Sequence, residues 1–305
     1  MNLGIIGLGR MGGNMARRWC KAGVSLIAYN RHFETSQALA EECGLEAAES
    51  LEQLVSSLTA PRVLWLMLPA GEVTASYIQQ LIPLLSKGDI IVDGANSFYK
   101  DSINRAEILQ KRGIHFVDVG VSGGIWGLKN GYTLMAGGEA GAVQEIEPYL
   151  KTLAPSAEQG WMHCGPVGSG HYVKMIHNGI EYGMMQAFAE GFALLKGHES
   201  FDIKLAEVAE TWRHGSVVRS WLLDLCADFL ENDEELDDIQ AYVADSGEGR
   251  WTALEAIEQG MPAPVITMGL MMRYASQGKN DYPAKLLSMM RFGFGGHAFK
   301  TDKGE

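Results

Sequence analysis

The chain has 305 residues, 47% of them hydrophobic, a length that suits two domains built around separate cores. It carries 25 Lys and Arg against 37 Asp and Glu, for a formal charge of −12. That balance argues against a nucleic-acid partner, whose phosphates select basic surfaces, but leaves room for a small anionic substrate held by a local cluster of Arg and Lys.

The first residues, Met1 to Gly7, enter an apolar run with no basic segment ahead of it. They read as a buried strand and not as a signal peptide. Short apolar runs at 3–6, 25–29, 63–68, 90–93 and 115–119 are predicted strands, each followed by a cluster of Gly, Asn, Pro or Ser and usually by an amphipathic segment. Strands alternating with helices predict a mainly parallel sheet covered on both faces. Further strands are expected at 133–136 and 161–164. After Gly165-Pro166-Val167-Gly168-Ser169-Gly170 the strand signal fades, and one long helix is predicted over 171–196 with mostly helix beyond. The acidic run 231–238 is expected to be a solvated helix end or loop. It lacks the alternating ligands and central Gly of a calcium loop. Cys20, Cys43, Cys164 and Cys226 show no paired spacing, so reduced thiols and a cytoplasmic location are expected. No apolar stretch approaches the ~18 residues that span a bilayer.

Gly7-Leu8-Gly9-Arg10-Met11-Gly12 matches G-x-G-x-x-G, follows a predicted strand and opens a predicted helix over 10–22. That context makes it a dinucleotide-binding turn. Gly7 permits the tight turn, Gly9 lets backbone approach the pyrophosphate, and Gly12 allows close helix–strand packing. The helix start offers N–H groups and partial positive charge to the phosphates. The expected architecture is therefore α/β, with a doubly wound Rossmann sheet over 1–164 and an all-helical substrate and oligomerisation domain over 165–305. At the end of the second strand an NAD enzyme usually carries Asp or Glu. Here Asn30 and Arg31 stand in that place, which suits the 2′-phosphate of NADP, with NAD as the other possibility. Leu68, at the end of the 63–68 run, is taken as a further cofactor contact.

On the long predicted helix Lys174, His177, Asn178 and Glu181 fall at i, i+3, i+4 and i+7 and share one face. Val173, Ile176, Ile180 and Met184 form a separate apolar stripe. Two Gly interrupt the region and permit close approach by another group. Lys174 and Glu181 lie ~10 Å apart along the axis, too far for a surface ion pair but suited to an acid and a base acting on one ligand. A solvated polar face is the plainer alternative.

The segment Gly168-Ser169-Gly170-His171-Tyr172-Val173-Lys174-Met175-Ile176-His177-Asn178-Gly179-Ile180-Glu181-Tyr182 resembles the signature of the 6-phosphogluconate dehydrogenases. Asp93-Gly94-Ala95-Asn96-Ser97 and Val121-Ser122-Gly123-Gly124 resemble two further motifs of that family, and the length resembles its short form. The resemblance implies oxidative decarboxylation of 6-phosphogluconate to ribulose 5-phosphate and carbon dioxide with a nicotinamide coenzyme and no metal. It implies that Asn96 faces nicotinamide and substrate, and that Ser122, Gly123 and Gly124 bind the substrate carboxylate. Lys174 matches the family's general base and Glu181 its general acid; His177 and Asn178 match hydroxyl-binding positions. Tyr182 and Arg273 match phosphate contacts. Arg291 and His297 match a tail that closes over the substrate, in the family often from a neighbouring subunit, so a homo-oligomer is expected. One departure stands out. Where the family has a basic residue before Gly-x-Gly-Lys-Trp-Thr, this chain has Ser246, and Arg250 replaces the Lys. Phosphate recognition is therefore expected to lean on Arg273 and Arg291.

The implied sequence is deprotonation of the 3-hydroxyl by neutral Lys174 with hydride leaving carbon 3, loss of carbon dioxide from the 3-keto acid, and protonation of carbon 1 of the enediol by Glu181. A β-keto acid delocalises the carbanion itself, and the sequence holds no H-E-x-x-H or clustered ligand set. Two alternatives stay open. A non-decarboxylating β-hydroxyacid dehydrogenase, of the 3-hydroxyisobutyrate or tartronate semialdehyde type, would share the Rossmann half, the Ser-Gly-Gly loop and the Lys, but generally lacks the 177–182 run. A non-catalytic NADP-binding sensor would have no use for Lys174 and Glu181.

Overall fold

In the computed structural model the described residues are 2–295 together with Ala298 and Lys300. They fall into two compact units, Met1–Ile176 and His177–Glu305. The first holds β1 (Asn2–Ile6), α1 (Arg10–Lys21), β2 (Ser25–Tyr29), α2 (Phe33–Cys43), β3 (Glu46–Ala48), α3 (Leu51–Ser57), β4 (Val63–Leu66) and α4 (Glu72–Leu81). It continues with β5 (Ile90–Asp93), α5 (Tyr99–Gln110), β6 (His115–Ser122), α6 (Gly127–Asn130), β7 (Thr133–Gly137), α7 (Ala140–Leu153) and β8 (Trp161–Gly165). The long helix α8 (Ser169–Lys196) begins in this unit.

The eight strands form one sheet in the order β3-β2-β1-β4-β5-β6-β7-β8. Pairing is parallel throughout except between β6 and β7. β1 lies between β2 and β4, with Ile5 opposite Ala28 on one side and Trp65 on the other. The strand order reverses between β1 and β4, the place where such sheets open a crevice for ligands at their carboxyl ends.

Alternation along the strands divides the core into two layers. Leu3, Ile5, Val63, Trp65, Ile90, Val92, Val117 and Val119 face one layer, closed by Met15 and Trp19 of α1. Leu64, Leu66, Ile91 and Phe116 face the other, packed on Leu54, Ile78 and Leu109. Both faces are covered, which is why these strands read as continuous apolar runs. The predicted strands are all present with small differences. β4 stops at Leu66, before the turn that carries Leu68, and β6 extends to Ser122 because β7 pairs with it up to Thr133. The three-residue β3 at the sheet edge was not among the predicted strands.

The second unit holds the rest of α8, then α9 (Leu205–Arg213), α10 (Trp221–Asn232), α11 (Glu248–Glu258), α12 (Pro264–Tyr274) and α13 (Asp281–Gly295). Leu205, Ala209, Leu223, Ala227 and Leu230 form its main core with Phe188, Phe192 and Trp212 around them. Tyr182, Ala253 and Leu270 form a second cluster. The acidic run spans the last two residues of α10 and the segment after it and is mostly exposed, with Lys196 Nζ 2.8 Å from Glu235.

Ile180 and Met184, placed on an apolar stripe, are 51% and 39% exposed, while Lys174 is buried. Within the first unit the start of α8 lays the Lys174 stem against β6. Among the described residues no helix is long and apolar enough to cross a membrane.

Candidate active site

The turn after β1 is built as the glycine spacing requires. Gly7 has φ +94°, a conformation open to Gly, and its N–H donates to the Tyr29 carbonyl at the end of β2. A Cβ on Gly12 would overlap the Gly7 carbonyl, so Gly12 lets α1 sit against the turn. A Cβ on Gly9 would meet no protein atom within 4 Å, which leaves open space beside the first turn of α1. That turn has no side-chain cap and no acidic residue, so its N–H groups remain available to an anion. The cradle fits a dinucleotide pyrophosphate. Asn30 Oδ1 accepts from Leu8 N at 3.1 Å and Asn30 Nδ2 donates to the His32 carbonyl, so Asn30 braces the turn. Arg31 is exposed beside it, with Nη2 3.4 Å from His32 Nε2. Leu68 Cδ2 lies 3.0 Å from where a Gly7 Cβ would stand, placing Leu68 against the same turn. Arg10 is exposed and Met11 half-buried at the helix start.

The loop after β5 is held by a buried carboxylate. Asp93 accepts from Ala95 N at 3.0 Å, Ser97 Oγ at 2.9 Å and Arg105 Nη1 at 2.8 Å. Asn96, exposed between Ala95 and Ser97, is presented at the carboxyl edge of the sheet by residues fixed on either side. At the end of β6, Ser122 and Gly123 are half-buried and Gly124 is exposed. The following turn is fastened to the dinucleotide helix: Asn14 Nδ2 donates to the Ile125 carbonyl at 3.5 Å and Arg18 Nη1 to the Leu128 carbonyl at 3.4 Å. β1, β2, β4, β5 and β6 are parallel, so the glycine turn, Asn30, Leu68, Asn96 and Ser122 all lie at one edge.

Lys174 belongs to this unit and is 9% exposed. A Cβ on Gly120 would overlap Lys174 Cβ, so the lysine stem lies directly on bare strand backbone two residues before Ser122. Asp118, fully buried in the same strand, accepts from Gly168 N at 2.6 Å and His171 N at 2.8 Å. Burial pushes its carboxyl above the ordinary range, against the pull of His171 and these N–H groups. Neither Asp118 nor Asp93 was among the sequence-predicted site residues. A charged residue inside an apolar central strand was the available signal, since a buried carboxylate must find partners.

In the second unit His177 and Asn178 are hydrogen-bonded to each other, Nδ1 to Oδ1, at 2.9 Å. His177 Nδ1 is 4.0 Å from Glu181 Oε2. Asn178 Nδ2 donates at 3.0 Å to Glu248, a buried carboxylate at the start of α11 that sequence reasoning missed. Tyr182 is buried, its hydroxyl 3.2 Å from Ser246 Oγ and 3.4 Å from Asp245 Oδ1. The Arg273 guanidinium stacks on the Tyr182 ring with Cζ 3.4 Å from its centroid, and Nη1 donates to the Ala244 carbonyl. Tyr182, Ser246 and Arg273 thus form one cluster. Arg250 pairs with Asp245 at 3.3 Å. Arg291 is exposed on α13; His297 lies outside the described residues. His163 Nε2 sits 2.9 Å from the Gly138 carbonyl and 2.8 Å from that of Gly165. Among the described residues no group of three His, Cys, Asp or Glu side chains could hold a metal ion.

A glycine cradle at the strand-order reversal, with polar side chains at the ends of β5 and β6 and a buried lysine over β6, defines a nicotinamide-dinucleotide-dependent dehydrogenase fold. The comparisons with known proteins narrow this. Residues 2–165 match the family model of the NAD binding domain of 6-phosphogluconate dehydrogenase, and residues 170–282 match the model of its C-terminal domain. The chain is a member of the 6-phosphogluconate dehydrogenase family. It is 41% identical over 298 residues to the NAD(+)-dependent, decarboxylating 6-phosphogluconate dehydrogenase of Haloferax volcanii, covering 97% of this chain and 98% of that one. It is 39% identical to the decarboxylating enzyme of Klebsiella pneumoniae over 94% of this chain, spanning 64% of that longer protein. The Plasmodium falciparum 6-phosphogluconate dehydrogenase, solved in apo form and in complexes with NADP+ and with 6-phosphogluconate, superimposes with a TM-score of 0.85 at 30% identity, over 100% of this chain and 67% of that one. A Mycobacterium tuberculosis 3-hydroxyisobutyrate dehydrogenase shares the fold at a TM-score of 0.71 and 20% identity, over 92% of this chain and 94% of that one.

Proposed function

We propose that the chain oxidises and decarboxylates 6-phosphogluconate, giving ribulose 5-phosphate and carbon dioxide with reduction of NADP or, as the alternative coenzyme, NAD. The observation that carries this reading is the buried lysine lying on Gly120, two residues before Ser122, on the same helix as the 177–182 run that the non-decarboxylating dehydrogenases generally lack. Residues 1–164 form the cofactor domain of this scheme and 165–305 the substrate domain. The coenzyme, when bound on the Gly7–Gly12 cradle, accepts hydride from carbon 3 of the substrate. Neutral Lys174 takes the 3-hydroxyl proton as that hydride leaves. Asn96 and the Ser122-Gly123-Gly124 loop orient the substrate carboxylate and its neighbouring carbon. In the 3-keto acid the bond between carbons 1 and 2 breaks, carbon dioxide departs, and the Lys174 ammonium hydrogen-bonds the enolate oxygen. Glu181 protonates the carbon that carried the carboxylate, which becomes carbon 1 of the product. His177 and Asn178 hold hydroxyls, and Tyr182, Ser246, Arg273 and Arg291 receive the phosphate, with His297 closing the tail.

Comparison of initial rates on 6-phosphogluconate, gluconate and 3-hydroxyisobutyrate tests the reading. A strong preference for the first supports it, and turnover of the third alone contradicts it. Glu181→Gln keeps the shape of the side chain but cannot donate the same proton. We expect it to lower product formation by on the order of 10² to 10⁴-fold while coenzyme affinity stays within a factor of two. Unchanged product formation would remove Glu181 from the mechanism.

Preference for NADP rests on Arg31, exposed next to an Asn that cannot repel a 2′-phosphate as Asp would. Losing a charged hydrogen bond costs about 1.5–3 kcal/mol. Arg31→Ala should therefore lower kcat/KM with NADP by roughly 10- to 100-fold and leave the NAD value nearly unchanged. Equal losses with both coenzymes would assign Arg31 to the shared phosphates instead.

A homo-oligomeric, cytoplasmic enzyme is part of the same proposal. Support for the oligomer is the row of large apolar side chains exposed on α12 and α13, among them Met268, Met271, Leu287, Met290 and Phe292. Such patches mark association surfaces.

A further inference from the structure

The first turn of α8 is anchored more heavily than a helix start requires. Asp118 of β6 accepts from the N–H of Gly168, just before the helix, and from that of His171 in its first turn. His171, 2% exposed, then spends its Nδ1 on Ser102 Oγ of α5 at 2.7 Å. Ser102 is fully buried, and His171 Nε2 is a buried atom with no partner among the described residues. Ionised or aromatic polar groups sealed in this way cost stability unless something is gained by the arrangement. Close contact completes the anchor: a Cβ on Gly170 would overlap the Met135 carbonyl, so the helix start touches sheet backbone. Lys174 follows His171 by one turn, with its stem on Gly120. The helix start is therefore tied on one side to the strand that ends in Ser122 and on the other to the helix that follows the Asn96 loop.

We infer that Asp118, His171 and Ser102 are positioning residues for Lys174: they fix the height and rotation of the first turn of α8, so that one register serves Lys174, Ser122 and Asn96. The inference rests on the assignment of Lys174 as the base. Proton removal and hydride departure occur together, and misplacement by about 1 Å can cost 10²-fold.

The test uses the full chain, with 6-phosphogluconate carrying either hydrogen or deuterium at carbon 3. Ser102→Ala removes the partner of His171 and leaves every proposed substrate contact in place. We expect kcat to fall about tenfold, coenzyme KM to stay within twofold, and the deuterium isotope effect on kcat to rise as the oxidation step becomes limiting. His171→Asn, which keeps a nitrogen near the Nδ1 position, should recover part of the rate lost in His171→Ala. Gly120→Ala, which pushes on the lysine stem and on the Gly170 carbonyl and so displaces the same helix start from the strand side, should lower kcat by on the order of 10²-fold.

A Ser102→Ala enzyme with unaltered kcat and isotope effect overturns the inference. So does a rate loss that only tracks a lowered Tm, with an unchanged isotope effect. Should Ser102→Ala not fold, the two His171 variants decide, and equal rates for them overturn it. Failure of the underlying assignment looks different: turnover would then survive Lys174→Met.

Discussion

Lys174→Met is expected to lower turnover with 6-phosphogluconate by on the order of 10³-fold while the chain still folds and still binds coenzyme. Methionine matches the lysine stem in length and is apolar, so it can lie on Gly120 as the lysine does. The stem's packing is kept, so the variant should still unfold cooperatively with a Tm near that of the parent chain. The coenzyme cradle is made by the β1–α1 turn and Asn30, so its affinity should change by less than twofold. Turnover, coenzyme titration and thermal unfolding of the two proteins check the three parts together. A variant with near-normal rate would refute the base assignment.

Arg105→Leu is expected to produce the largest loss of stability of any single change near the site. Asp93 is fully buried, and Arg105 supplies the only countercharge among its described hydrogen bonds, at 2.8 Å. Removing one partner of a buried ion pair leaves the other uncompensated, at a cost of about 3–5 kcal/mol. For a domain of this size that corresponds to a fall in Tm on the order of 10 °C. Arg105 also donates to Ser97 Oγ at 3.1 Å and to the Gly71 carbonyl at 3.2 Å. The loop carrying Asn96 should therefore loosen, and activity should fall at temperatures where the protein is still folded. Thermal unfolding and chemical denaturation check the first claim, and a loss below about 1 kcal/mol would contradict it.

Much of the sheet was legible because strands buried on both faces leave unbroken apolar runs, as at Ile90–Asp93 and Ser25–Tyr29. Glu46–Ala48 was not, because three residues at a sheet edge carry no period. Nor could the reversed direction of β7 be read, since alternation is the same in parallel and antiparallel strands. The chemistry-bearing residues on α8 could be found by spacing and resemblance, but their orientation could not. Spacing alone gave Lys174 the polar face and Ile180 the apolar one, whereas packing against β6 buries Lys174. Asp118, His171, Arg105 and Glu248 act through partners distant in sequence, such as Ser102 for His171 and Asn178 for Glu248, and no local pattern announces such pairs.

The most direct test of the central claim is the stoichiometry of the reaction. Purified chain would be given 6-phosphogluconate with NADP and, separately, with NAD, with reduced coenzyme followed by absorbance and carbon dioxide trapped in parallel. Equimolar reduced coenzyme and carbon dioxide is the expected result. Coenzyme reduction without carbon dioxide, or no reduction with this substrate, would contradict the account.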